Sequence, residues 1–154
     1  MLLVSLLMLP LAAIAGDRVA GEARVEDAAT VVVGGQRLRL YGIATPVPGD
    51  MCPLRGTRID CGHVAATALM DLVAGARVVC ETLDETADPP RARCLSEGYD
   101  LSEGMVYTGW ARPLPDAPPA LHAAESQARE GRHGLWRGAF PPAVDAAAGG
   151  PARD

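Results

Sequence analysis

The chain has 154 residues, 49% of them hydrophobic, with 19 acidic and 14 basic side chains and a net charge of −5. That length holds one domain and not comfortably two. The acidic balance argues against a non-specific nucleic-acid binder, whose affinity comes mostly from Lys and Arg displacing counterions.

The first element is an apolar run, "LLVSLLMLPLAAIA", with no charged side chain in residues 1–15. It is too short to span a bilayer as a helix. Its end, Ala13-Ile14-Ala15 before Gly16, has the small-x-small spacing cut by signal peptidase. Residues 1–15 therefore read as a signal peptide, with a retained membrane anchor as the lesser alternative. The mature chain is expected to have no membrane span and to be periplasmic or secreted.

The segment from Arg18 to Glu26 alternates loosely, with Val19, Ala23 and Val25 as inward candidates. Asp27-Ala28-Ala29 makes a turn, and Thr30–Val33 follows as a β-branched strand. Gly34-Gly35 is a hairpin signal leading into a third strand, Arg37–Ile43. The Pro- and Gly-rich stretch from Pro46 to Asp60 reads as a loop. From His63 to Ala74, the residues Val64, Ala65, Ala68, Leu69 and Leu72 share one helical face, and Gly75 ends the helix. Arg77–Leu83 and Arg91–Ser96 read as a strand pair. Short helices are expected over Leu101–Thr108 and Pro118–Glu130, separated by the Pro-rich "RPLPDAPP". Residues 141–154 read as a disordered tail.

Cys52, Cys61, Cys80 and Cys94 form an even set without a Cys-x-x-Cys pair. In an oxidising compartment such a set favours two disulfides. Three connectivities are open. The sequential one, Cys52–Cys61 and Cys80–Cys94, is preferred, because the second pair would face across two strands. Each bridge would contribute about 2–3 kcal/mol by restricting the unfolded chain. A metal site of cysteines with His63 is the lesser alternative.

Five short strands with a helix between the third and fourth match the OB-fold, a small Greek-key barrel. The expected class is mainly β with helices (α+β), with the barrel domain over residues 16–140 and about three helices. The segments "GEARVEDAATVVVGGQRLRLYGIATP", "DCGHVAATALMDLVAGARVVCE", "RARC", "GYDLSEGMVYTGWA" and "GLWRGAF" carry a family likeness. In order and separation they resemble the thermonuclease (staphylococcal-nuclease-like) family, and in particular its exported branch with paired cysteines.

The resemblance implies an OB-fold and, in active members, calcium-dependent hydrolysis of DNA and RNA. It also implies particular residues. The family's first turn reads Asp-Gly-Asp-Thr, and its second Asp binds calcium; here Asp27-Ala28-Ala29-Thr30 leaves Ala29 at that position. The second calcium carboxylate is replaced by Ala44. The Glu that acts on the attacking water is replaced by Val47, which has no oxygen. One phosphate-clamping arginine is matched by Arg39, whereas Pro89 stands at the other. Arg91, two residues further along, is a candidate substitute on the same strand face. Arg39, Tyr41 and Arg91 are therefore the candidate binding residues, and Arg39 the only remnant of the catalytic set.

No cofactor is expected, although active members use calcium. The expected function is an exported domain with a degenerate phosphodiesterase site, a non-catalytic binding or structural module. The alternative is an altered metal-dependent nuclease using Asp27, Asp50 or Asp84. Nucleic-acid binding is expected to be feeble, since no Phe, Tyr or Trp lies between Trp110 and Trp136 to stack on bases. Trp110 and Trp136 read as packing residues, and His63, His122 and His133 as surface. A monomer is expected, and no partner is indicated.

Overall fold

The computed structural model describes residues 17–151, so the expected signal peptide lies outside the described residues. The chain enters as two short strands, β1 (Arg18–Gly21) and β2 (Ala23–Asp27), separated by Glu22 alone. β3 (Thr30–Val33) folds back on β2, and the turn at Gly34-Gly35 leads into β4 (Gln36–Leu40). These glycines take φ of 56° and 77°, the left-handed pair of a two-residue hairpin turn, which glycine adopts without steric penalty.

β5 (Ile43–Ala44) is followed by a hairpin, β6 (Met51–Leu54) and β7 (Thr57–Asp60), where the sequence had read as loop. Its turn uses Arg55 and Gly56, both at positive φ. Helix α1 (Cys61–Val73) then begins with an Asp60 cap, whose carboxylate accepts from the His63 N–H at 2.9 Å. Ala65, Leu69 and Val73, four residues apart, are its buried face.

β8 (Val78–Asp84) and β9 (Arg91–Ser96) form the expected antiparallel pair, with Cys80 opposite Cys94. Both expected disulfides, Cys52–Cys61 and Cys80–Cys94, are present. β10 (Tyr99–Asp100) precedes α2 (Leu101–Tyr107), whose N-terminal N–H groups of Ser102 and Glu103 donate to Asp100. After β11 (Arg112–Pro113) and α3 (Pro119–Gly131), a 3-10 turn over Gly134–Arg137 leads to α4 (Pro142–Ala147).

The main sheet runs β1-β8-β9-β4-β3-β2, with β10 added to β9. The β4–β9 pair is parallel and the others are antiparallel. The path begins and ends on strands that are neighbours in the chain. The class is α+β, a mixed sheet covered by helices. Leu69 of α1, Met105 of α2 and Leu121 of α3 meet Val31, Leu38, Leu40 and Val78 of the sheet in one core. Cys52, Cys61, Leu135, Phe140 and Val144 form a second, smaller cluster, and Trp110 packs against both.

That second cluster corrects the expected tail. Residues 142–147 are helical and Val144 is buried. The signal was Pro141-Pro142: proline suits the first turn of a helix, where its missing N–H has no partner to lose.

Candidate functional site

Arg39 on β4 and Arg91 on β9 are register partners across the parallel pair, and the Arg39 N–H donates to the Pro90 carbonyl at 2.9 Å. Both line one cavity of about 340 Å³. Neither forms a salt bridge among the described residues. The cavity continues over Ile43 and Ala44 of β5, then Thr45 and Val47.

Asp50 closes the turn that follows. Its Oδ2 accepts from the Val47 N–H at 2.9 Å, while the Asp50 N–H donates back to the Val47 carbonyl at 3.0 Å. The turn lies directly on the first turn of α1. A Cβ at Gly62 would stand 1.9 Å from the Val47 carbonyl oxygen, so only glycine permits this approach. The loop that shapes the cavity rim is thereby held at both ends of its turn.

The expected site residues separate into two groups. Arg39, Arg91, Ala44, Val47 and Asp50 come together around the cavity. Ala29, Asp27, Tyr41 and Asp84 do not line it. Ala29 is buried, with its N–H donated to Asp27 Oδ1 at 2.9 Å and its carbonyl accepting from the Leu40 N–H at 2.7 Å. Asp84 accepts from the hydroxyl and the N–H of Thr86, and those bonds lower its pKa.

Tyr41 corrects the expected binding face. It lies beyond the end of β4, where Gly42 at φ 71° breaks the strand alternation. Its hydroxyl donates to Asp100 Oδ2 at 2.9 Å, beside Arg93, whose Nε donates to the same oxygen at 3.0 Å. Burial, and then the bond to Asp100, push the Tyr41 phenol up to about 12. Tyr41 is part of a network that secures α2, since Ser102 Oγ also donates to its carbonyl at 2.8 Å.

The residues present do not fit calcium. A hard cation needs several oxygen ligands. The cavity lining offers one carboxylate, Asp50, beside two guanidinium groups that would repel a cation. Among the described residues no group of three His, Cys, Asp or Glu side chains is placed to hold a metal ion. The histidines stand apart: His63 is exposed on α1, and His122 lies on α3. The His133 and Tyr107 rings meet in a T-shaped contact, with His133 Nδ1 2.7 Å from the Tyr107 carbonyl oxygen.

The far wall of the cavity was not foreseen. Leu114 and, from α4, Ala143, Val144 and Ala147 complete it. Helix α4 is fastened by Arg112, which is 5% exposed. Arg112 Nε donates to Glu125 at 2.7 Å, and its Nη1 donates to Asp145 and to the Gly150 carbonyl, both at 2.8 Å. Burial works against the Arg112 charge, but the bonds to Glu125 and Asp145 outweigh it and raise the pKa. The guanidinium carbon also lies 5.5 Å from the centroid of the Trp136 ring. Arg112 pairs in register with Ala44, so the residue that fastens α4 sits across a two-strand ladder from the cavity wall.

A larger cleft, about 810 Å³, opens on the other side of the C-terminal segment, against Arg129, Arg132, Trp136 and Asp145. None of the expected site residues lines it. Its aromatic ring is already occupied by the guanidinium groups of Arg112 and Arg129, at 5.5 and 5.3 Å from the centroid.

No family model matches this sequence. The chain is similar to the succinoglycan biosynthesis protein ExoI of Rhizobium meliloti (strain 1021). The two are 28% identical over 131 residues, a stretch covering 80% of this chain and 67% of that protein.

Proposed function

We propose that the chain is an exported, non-catalytic domain of staphylococcal-nuclease type, acting as a monomeric binding module. The observation that carries this reading is the composition of the cavity. Arg39 lies there beside Ala44 and Val47, where the resemblance calls for a calcium carboxylate and a catalytic glutamate.

The barrel is part of the same reading. β1 and β2, one residue apart, are taken as the two halves of a single bent strand. A path of β1-β8-β9-β4-β3-β2 then returns on itself as a five-stranded OB barrel. The parallel β4–β9 pair and the placement of α1 between β4 and β8 support it. The two disulfides and the apolar leader support export to the periplasm or the medium.

The altered-nuclease reading finds less support. It needs Asp27, Asp50 or Asp84 to act on a phosphodiester, yet Asp27 and Asp84 lie outside the cavity and Asp50 is bonded to the Val47 N–H. The test is incubation of the mature domain with single-stranded DNA and calcium beside a chelator control. No cleavage is expected. Chelator-sensitive cleavage would overturn the reading.

A further inference from the structure

Arg39 and Arg91 line the cavity without a salt bridge among the described residues, beside Asp50, Thr45 and an otherwise apolar wall. Arg91 also faces Asp84 across the β8–β9 pair and helps to lower its pKa. Arginines on adjacent strands, about 4.8 Å apart, repel one another. Side chains that serve only the fold are usually paired or solvated separately. Asp50 stands in the same lining, but its Oδ2 accepts from the Val47 backbone. Two arginines and one aspartate leave the cavity with one net positive charge. The Thr45 residue on the rim is 8% exposed.

Opposite the arginines, the surface is hydrocarbon. Leu40, Ile43, Leu114 and Val144 line the cavity, the last from the helix that Arg112 fastens. A ligand here meets charge at one end and apolar surface at the other. At about 340 Å³ the cavity lies at the small end of ligand sites. A polyanion is disfavoured by the net −5 of the chain. An inorganic anion would leave the apolar wall unused.

We infer that this cavity is a metal-independent binding site for a small organic monoanion, a carboxylate with a short apolar body. The carboxylate lies between Arg39 and Arg91, and the body lies against Leu114 and Val144. The inference rests on the non-catalytic reading of the same cavity. It differs in naming an occupant that needs neither a phosphodiester nor a metal. Charge-assisted bonds from guanidinium to carboxylate supply orientation. Burial of the body supplies a chain-length dependence of affinity, about threefold to fourfold per methylene.

The test is calorimetric titration of the mature, disulfide-bonded domain with butanoate, pentanoate and hexanoate, in buffer free of divalent metal. Hexylammonium, hexanol and inorganic phosphate are the controls. Saturable one-to-one binding is expected, tightening about threefold to fourfold per methylene, with hexanoate at least tenfold tighter than each control. Arg39→Gln and Arg91→Gln should each weaken hexanoate binding at least tenfold while leaving the melting temperature unchanged. Val144→Ser should flatten the chain-length dependence while leaving butanoate binding nearly intact. The inference is overturned if hexanoate does not saturate, if hexylammonium or phosphate binds equally well, or if both arginine variants bind hexanoate like the parent. Its failure is read in binding and that of the inactive-nuclease reading in strand cleavage, so the two failures are distinguishable.

Discussion

Arg112 and the Arg39–Arg91 pair are treated in opposite ways on the two sides of Ala44. Arg112 is buried and gives its N–H groups to Glu125, Asp145 and the Gly150 carbonyl. Arg39 and Arg91 open into a cavity and make no salt bridge among the described residues. A buried charge is tolerated only when its donors are matched, and breaking such a set leaves the remaining charges stranded. A charge at a cavity without a close ion-pair partner, Arg91 having only the more distant Asp84 across the strand pair, contributes little to folding and remains available. The difference separates an arginine that holds the fold from two that can serve a ligand.

The largest expected effect tests the structural side. Arg112→Met should destabilise the domain by about 3–5 kcal/mol in urea unfolding, because Glu125 and Asp145 lose their partner. A loss below about 1 kcal/mol would mean that α4 is not fastened in this way. Replacing Cys80 and Cys94 together by Ala should cost about 3 kcal/mol, as expected for a bridge spanning 14 residues. That bridge joins β8 to β9, the strand that presents Arg91. Val144→Ala should cost about 1.5 kcal/mol from the two carbons removed, with the loss confined to the second cluster.

The smaller effects test the ligand side. Arg39→Gln and Arg91→Gln should each change stability by less than about 0.5 kcal/mol, as for surface substitutions away from the core. If either unfolds the domain as Arg112→Met does, the contrast between the arginines fails. A pH effect is expected at Tyr41, whose phenol is raised from 10.0 to about 12. A folded-state pKa above the unfolded value stabilises the neutral form. The contribution is therefore complete below pH 10 and declines as pH rises toward 12. Melting temperatures measured between pH 9 and 11 should fall more steeply in the parent than in Tyr41→Phe.

The parts of this arrangement legible in sequence were those with local causes. Gly34-Gly35 announced a hairpin because few other residues take that backbone pair, and β3 and β4 follow from it. On α1 the spacing picked out Ala65 and Leu69, which are buried, but Val64, Ala68 and Leu72 are only half-buried and Ala66 and Val73 complete the buried face. Cys80 and Cys94 could be paired because their strands could be placed. Arg91 was reached by strand alternation, and it is the register partner of Arg39.

What could not be read depends on contacts between distant residues. The sequence also put Tyr41 on the binding face with Arg39, but the strand ends at Leu40 and Gly42 turns the chain, sending Tyr41 to Asp100, 59 residues on. The C-terminal segment offers a proline start signal and helix-favouring alanines, but between Pro141 and Gly149 it is too short to read as a helix on that basis. Its helix is held by Arg112 reaching Asp145, 33 residues away, and by burial of Val144. A six-residue helix has no stability alone, so its docking decides whether it forms. The wall that gives the cavity its apolar character was therefore invisible until the fold was in view.

The most direct test of the whole account is thermal unfolding of the mature domain in three parallel samples: buffer, calcium, and hexanoate at about ten times its dissociation constant. A ligand at that level should raise the melting temperature by about 3–6 °C for a domain of this size. That rise is expected in hexanoate, with no change in calcium. A rise in calcium, or none in hexanoate, would contradict it.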